Sequence, residues 1–125
     1  MQISTPIQQA HRNAVTASIG DVASFLQELL TRRLTAYIAG VKDAKTVTRW
    51  VTGEITDIRS TEVEQRLRSA YEIAQLLLQV ESAQTTRAWF IGMNPQLDDI
   101  SPAEAIRNGD LRDALAASRA FLVGG

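Results

Sequence analysis

The sequence predicts an all-α protein, and three observations lead to that fold class. Apolar residues recur three and four positions apart along most of the chain, which is the period of an amphipathic helix. Several of these segments follow a serine, threonine or aspartate and precede a glycine or proline, the residues that start and stop helices. No segment alternates apolar and polar residues as a half-buried strand does.

Composition predicts a soluble protein without disulfides. With 125 residues, of which 45% are hydrophobic, the chain can bury a core as one compact unit or as two small units that share a helix. No apolar run approaches the roughly 20 residues that a membrane span needs. The N-terminus lacks the features of a signal peptide, and the chain has no cysteine. We therefore expect a cytoplasmic protein without a membrane partner.

The charges are unevenly distributed although the formal net charge is only −1. Between Thr31 and Glu54, five basic residues are found with two acidic ones. From Trp89 onward, five acidic residues are found with three basic ones. A basic middle and a mildly acidic C-terminal part predict two surfaces with different partners, and ordinary solvated faces are the alternative.

The N-terminal half is predicted to contain three helices after a weakly ordered segment. Residues 1–20 are rich in serine, threonine and glutamine, which predicts a frayed or weakly helical lead-in. Asp21 can cap a helix that continues to Leu30. Two short helices follow, and glycines at Gly40 and Gly53 end them.

A long helix is predicted from Ser60 or Thr61 to about Ser82, with Thr61 and Glu64 at the spacing of a capping box. Two neighbouring faces of this helix are apolar: the first contains Val63, Leu67, Ala70, Ala74 and Leu77, and the second contains Ile73, Leu76 and Val80. They indicate either a central core helix or a core helix that also supplies a homodimer interface. In a monomer, burial under residues 1–30 would account for the second face.

Three short helices are predicted in the C-terminal part. A helix over 85–92 is followed by a break at Pro95, because the residue before a proline is pushed out of the helical region. The segment from Ser101 to Gly109 has a serine cap, a proline at the first helical position and a capping-box glutamate. A last helix over 110–120 leaves an apolar tail with a flexible tip at 121–125. The predicted organisation is therefore a weakly ordered segment (1–20), a helix-turn-helix region (21–60), and a long helix with a C-terminal module (61–125).

Residues 34–53 are predicted to form a helix-turn-helix that reads double-stranded DNA. Gly40 can take the positive φ of the turn, and Val47 and Trp50 have the spacing of inward-facing residues. The polar residues around them are predicted to meet phosphates and base edges: Lys42, Lys45, Thr46, Thr48, Arg49 and Thr52. The gap before Val47 is one residue longer than in many repressor-type motifs, which predicts a longer turn or a later second helix. A generic helix–helix corner is the alternative.

The segment from Trp89 to Gly109 resembles the C-terminal toxin-binding domain of the Xre/MbcA/ParS antitoxins. Its tryptophan is followed by Asn94-Pro95, a leucine two residues on, an acidic turn, a Ser-Pro helix start and a closing glycine. The segment Thr46–Trp50, followed by a glycine, is also similar to the recognition helix of this group. The resemblance covers residues from about 30 to the end, and residues 1–20 have no counterpart in it.

The resemblance implies a type II antitoxin that folds as an all-helical homodimer. Such a protein binds a RES-domain toxin, an NAD-consuming enzyme, blocks its active site and represses its own operon. Carried onto this chain, the toxin-binding residues would be Trp89, Asn94, Leu97, Pro102, Gly109, Phe121, Leu122, Val123, Gly124 and Gly125. The tail from Phe121 is the expected plug of the toxin's active site. Trp89, Pro102 and Gly109 are equally well explained as structural residues, and the tail can instead pack on the protein's own core.

No arrangement of residues predicts catalysis, so we expect neither an enzyme nor a bound cofactor or metal. His11 is the single histidine and has no positioned partner in the sequence. The pair Asp98-Asp99 lies in a predicted turn, where aspartate is favoured for local hydrogen bonding. Two alternatives to an antitoxin stay open: a stand-alone transcriptional regulator, and an interaction module whose helix-turn-helix no longer reads DNA.

Overall fold

The computed structural model describes residues 5–124, and its secondary structure there is helical without strands, which confirms the all-α class. The helices are α1 (Pro6–Thr16), α2 (Ile19–Leu30), α3 (Arg32–Ala39), α4 (Lys45–Thr52), α5 (Thr61–Leu78), α6 (Ala83–Ile91), α7 (Pro102–Arg107) and α8 (Leu111–Leu122), with a 3₁₀ turn at Pro95–Leu97. No helix within the described range is both long and apolar enough to cross a membrane.

Helix α1 corrects the prediction of a weakly ordered segment over residues 1–20, of which residues 1–4 lie outside the described range. Thr5 and Gln8 form a reciprocal capping box, and Pro6 occupies the first turn. The helix buries Ala10 and Ala14, and its surface is otherwise largely polar. Because alanine contributes little to an apolar period, the sequence pattern concealed this helix.

Boundaries of three further helices differ from the predictions. Helix α2 is capped by Ser18, which leaves Asp21 in the first turn instead of at the cap. Ser60 caps α5 through the Val63 amide, so the predicted Thr61 capping box is wrong, and the helix ends at Leu78. Helix α8 continues to Leu122, two residues beyond the predicted end.

One hydrophobic core joins all eight helices, with α5 at its centre. Ile73 and Leu76, from the second apolar face of α5, are buried within the chain, whereas Val80 is exposed. Helices α1 and α8 both pack against α5. The core of a single chain therefore covers most of this face. Ile73 and Leu76 are not accessible to a second copy, so the prediction that this face forms the dimer interface is wrong for them. The homodimer itself stays a prediction.

Candidate nucleic-acid interface and partner-binding module

Helices α3 and α4 are separated by the five residues from Gly40 to Ala44, which confirms the expected longer turn. Gly40 has φ +83°, and the Val41 amide donates back to the Ala36 carbonyl at 3.1 Å. A Cβ atom at position 40 would lie 2.9 Å from Nη1 of Arg66, whose guanidinium donates to the Ala39 carbonyl at 3.3 Å. The positive φ therefore favours glycine here, whereas the Arg66 guanidinium is the end of a flexible side chain and could move away from a Cβ atom.

Helix α4 is anchored from inside the protein and capped from the turn. Val47 and Trp50 are buried, as their spacing predicted, and α4 packs against α2. These helices approach closely at Gly20, where a Cβ atom would lie 3.2 Å from the Trp50 carbonyl oxygen and would force a shift of a few tenths of an ångström. At the start of α4, the Asp43 carboxylate accepts a hydrogen bond from the Lys45 amide at 2.9 Å.

The polar residues predicted to contact DNA lie on the surface of this region. Lys42, Lys45, Arg49 and Thr52 are exposed, and Thr46 and Thr48 are half-buried. The Arg49 guanidinium lies 3.8 Å from the Glu54 carboxylate, with both side chains at least half exposed. An exposed pair of this kind contributes little, so Arg49 can exchange Glu54 for another anion at small cost.

Arg32 is a candidate contact residue that the sequence analysis did not include. Its Nη1 atom donates to the Thr48 hydroxyl at 3.0 Å, which places a guanidinium from α3 beside the exposed side of α4. The available signal was the pair Arg32-Arg33 at the start of the first helix of the motif, where a cation adds to the positive potential that the helix end already has.

Asn94, predicted to bind a toxin, closes a tight loop in the structure. Its side-chain oxygen accepts from the Gln96 amide at 2.9 Å, and its own amide donates to the Ile100 carbonyl at 3.1 Å. Asp98 and Asp99 follow with φ of +55° and +67°, a conformation that aspartate tolerates better than most residues. The side chain of Asn94 is therefore occupied in holding the loop.

Most other motif residues of the C-terminal module also stabilise its fold. Leu97 and Pro102 are buried, and Gly109 follows α7 with φ +88°. Trp89 is 9% exposed and makes an edge-on contact with Phe90, at 5.3 Å between ring centroids. A binding role is not needed to explain these positions, because each has a packing or backbone role.

The C-terminal tail divides into a packed part and an exposed part. Phe121 and Leu122 form the last turn of α8 and are half-buried, with the Phe121 ring 6.5 Å from that of Trp89. Val123 is 85% exposed, Gly124 is exposed with φ +82°, and Gly125 lies outside the described residues. Of the tail residues predicted to bind a toxin, Val123 is the large apolar side chain available to a partner.

Two exposed apolar residues of the same module were missed by the sequence analysis. Ile91 is 58% exposed at the end of α6, and Met93 is 82% exposed just after it. A contiguous exposed apolar patch is typical of an interaction surface, and these two side chains are candidates to contribute to one. The sequence carried only a partial signal. Ile91 directly follows the inward-facing Trp89 and Phe90, so helical spacing turns it only partly away from them.

Arginines join the C-terminal module to the helix-turn-helix region. Arg107 of α7 donates to the Tyr37 carbonyl at 2.6 Å, and its guanidinium lies 4.6 Å from the centre of the Tyr37 ring. Arg87 of α6 donates to the Leu29 carbonyl at 2.7 Å. Carbonyls near the ends of α2 and α3 are thereby satisfied by side chains from the other region.

His11 is paired in the structure, unlike the expectation of an unpartnered histidine. Its Nδ1 atom lies 3.2 Å from Oε1 of Glu72, which is nearly buried. Within residues 5–124, no group of three His, Cys, Asp or Glu residues is arranged to hold a metal ion.

No family model, curated protein or solved structure matches the chain. The functional argument therefore depends on the geometry of these two regions and on the motif resemblance described above.

Proposed function

We propose that this protein is a type II antitoxin, which binds and blocks a RES-family NAD-consuming toxin and represses its own operon through α3 and α4. The observation that carries the DNA-binding part is the construction of α4. Its apolar residues Val47 and Trp50 are buried, while Lys45, Arg49 and Thr52 are exposed on the same helix. A short helix held in this way can enter a major groove without disturbing the core.

The charge near α4 also supports a DNA ligand. Lys42, Lys45 and Arg49 are exposed around the helix, and Arg32 adds a fourth cation through its contact with Thr48. Asp43 and Glu54 oppose part of this charge, which leaves four cations against two carboxylates around the helix. Local cations next to a helix of groove-compatible size support phosphate contact even though the whole chain carries a net charge of −1.

The antitoxin part of the proposal is supported by the motif resemblance and by the exposed apolar residues of the same module. Because the motif residues Trp89 and Leu97 are buried, we assign toxin contact to the exposed residues that they position. These are Val123 of the tail together with Ile91 and Met93. The protein is expected to act in the cytoplasm as a homodimer, without a cofactor or an enzymatic activity of its own.

DNA binding is tested by fluorescence anisotropy with a labelled duplex from the region upstream of the protein's own coding sequence. A scrambled duplex of equal length is the control for sequence preference. We expect tighter binding to the upstream duplex and a steep loss of affinity as salt is raised. Failure to bind either duplex at low salt would rule out a DNA-binding role.

A stand-alone transcriptional regulator is the second candidate, and the half-buried state of Phe121 and Leu122 favours it. In that case the tail belongs to the fold and no toxin is involved. Removal of residues 123–125 distinguishes the two, because it spares α8. The antitoxin loses inhibition of a co-expressed RES enzyme on this truncation, whereas the regulator has no effect on the enzyme before or after it.

A further inference from the structure

A second surface of the molecule forms a shallow, open groove. It lies between α3 and α6, has a volume of about 480 Å³, and includes Leu34, Tyr37 and Ile91 among its lining residues. Tyr37 and Ile91 are 39% and 58% exposed, so apolar area is accessible along the groove. This surface shares no residue with the exposed side of α4 or with the C-terminal tail.

The charge of this groove is uniformly positive. Arg33 and Arg87 line it, no lining residue is acidic, and Arg107 lies against the Tyr37 ring. Arg87 and Arg107 each donate to a backbone carbonyl, which leaves their positive charge unneutralised by a carboxylate. The Arg33 side chain is exposed, and its guanidinium has neither a hydrogen bond nor an ion pair with any residue in the range 5–124.

The larger groove on another side of the molecule provides a contrast. It lies between α1 and α5 and has a volume of about 580 Å³. Its charges are already matched within the chain, since Arg68 lies 2.9 Å from Glu64 and His11 lies 3.2 Å from Glu72. An incoming charged partner would have to break these pairs, whereas the groove between α3 and α6 offers cations that no carboxylate has taken.

We propose that the groove between α3 and α6 binds an acidic amphipathic helix of a partner protein. A helix fits because the groove runs between two helices, and its apolar ridge would pack onto Leu34, Tyr37 and Ile91. Glutamate or aspartate at the edges of that ridge would meet Arg33 and Arg87, where an arginine–carboxylate pair can form two parallel hydrogen bonds. This surface adds to the proposed function, but it shares Ile91 with the proposed toxin contact, so the two partners would compete for that residue.

The test uses the full-length protein and a fluorescein-labelled synthetic helix of about 15 residues with leucines three and four positions apart, flanked by glutamates. A second peptide replaces the glutamates by lysines. We expect the acidic peptide to bind and to weaken as salt is raised, because its contacts include ion pairs. Binding of the lysine peptide with equal affinity would overturn the proposal, since the groove charge would then be irrelevant.

Two pairs of variants locate the binding site. Arg33→Glu and Ile91→Ser are each expected to weaken the acidic peptide by about tenfold, because they remove one ionic and one apolar contact. Arg112→Glu and Val15→Ser change exposed residues elsewhere on the molecule and should leave affinity within about twofold. Equal effects in both pairs, or displacement of the peptide from the wild-type protein by duplex DNA, would contradict the assigned groove. Circular dichroism confirms that each variant is folded.

Discussion

The helix-turn-helix region and the C-terminal module differ in where they place the residues predicted to function. Around α4, the predicted contact residues Lys45, Arg49 and Thr52 are exposed. In the C-terminal module, the predicted residues Trp89 and Leu97 are buried. The first set was chosen by the chemistry that DNA requires, and the second by resemblance to a motif.

This difference shows what each kind of inference detects. Helical spacing separates inward-facing from outward-facing residues, so it selects side chains that a ligand can reach. A recurring motif selects whatever a fold needs, and tryptophan, Asn-Pro and glycine are needed to pack a core, close a loop and end a helix. In the C-terminal module the motif therefore identifies the scaffold, and the exposed neighbours Ile91, Met93 and Val123 are the candidates for contact.

The largest effect is expected from Trp89→Ala. Trp89 is buried against Phe90 and Phe121, so truncation should lower the free energy of unfolding by about 3–5 kcal/mol. Urea denaturation followed by circular dichroism measures the change. Trp89→Phe is the milder control, and it removes an Nε1 atom that makes no hydrogen bond in the structure. Wild-type stability of Trp89→Ala would mean that Trp89 is a surface contact after all.

Lys45→Ala and Arg49→Ala are expected to weaken DNA binding while leaving the stability of the protein almost unchanged. Each should weaken duplex binding by about tenfold and reduce the slope of affinity against salt by about one ion. Because both side chains are exposed, the free energy of unfolding should change by no more than about 0.5 kcal/mol. Arg112→Ala, an exposed arginine on α8, is the matched control for loss of charge. Equal weakening by this control would place DNA contact elsewhere.

A smaller effect is expected at Thr31, which joins α2 to α3 with φ +98°. A β-branched residue is strained in this conformation by about 1–3 kcal/mol, although its hydroxyl accepts from the Leu34 amide. Thr31→Gly should therefore raise the free energy of unfolding by about 1 kcal/mol, since glycine relieves the strain and replaces a threonine N-cap at a cost of only about a few tenths of a kcal/mol. Thr31→Ala keeps the strain, loses the cap and should lower it by about 1 kcal/mol. Thermal unfolding of both variants distinguishes this account from one without strain, in which glycine would be no more stable than alanine.

The smallest effect on stability is expected from Val123→Ser. Because Val123 is 85% exposed, the free energy of unfolding should stay within about 0.5 kcal/mol of the wild type. Affinity for a RES enzyme, measured by calorimetry, should nevertheless fall. If Val123→Ser instead destabilises the protein and leaves affinity intact, the tail belongs to the core and not to an interface.

The local rules of helix formation made much of the fold predictable. The all-α class, the Ser101 cap and the inward positions of Val47 and Trp50 follow from spacing and capping chemistry. Contacts between distant segments were not predictable, as when Arg68 of α5 donates to the Ala14 carbonyl near the end of α1. Such pairs depend on how helices meet, which no local pattern encodes.

In the candidate sites too, local features could be predicted from the sequence and contacts between distant segments could not. The exposed cations of α4 could be selected from the sequence, but the contact of Arg32 with Thr48 could not, because it joins two helices across the turn. The positive φ of Thr31 was equally hidden, since threonine is not a residue that signals that conformation. The groove between α3 and α6 exists only because segments far apart in sequence are packed together.

The central claim is tested most directly by NAD consumption. The rate at which a purified RES-domain enzyme consumes NAD is measured with and without the full-length protein. The account predicts that an equimolar amount of the protein suppresses the rate, that the truncation lacking residues 123–125 does not, and that the protein alone consumes no NAD. An unchanged rate with excess wild-type protein would contradict the assignment as an antitoxin.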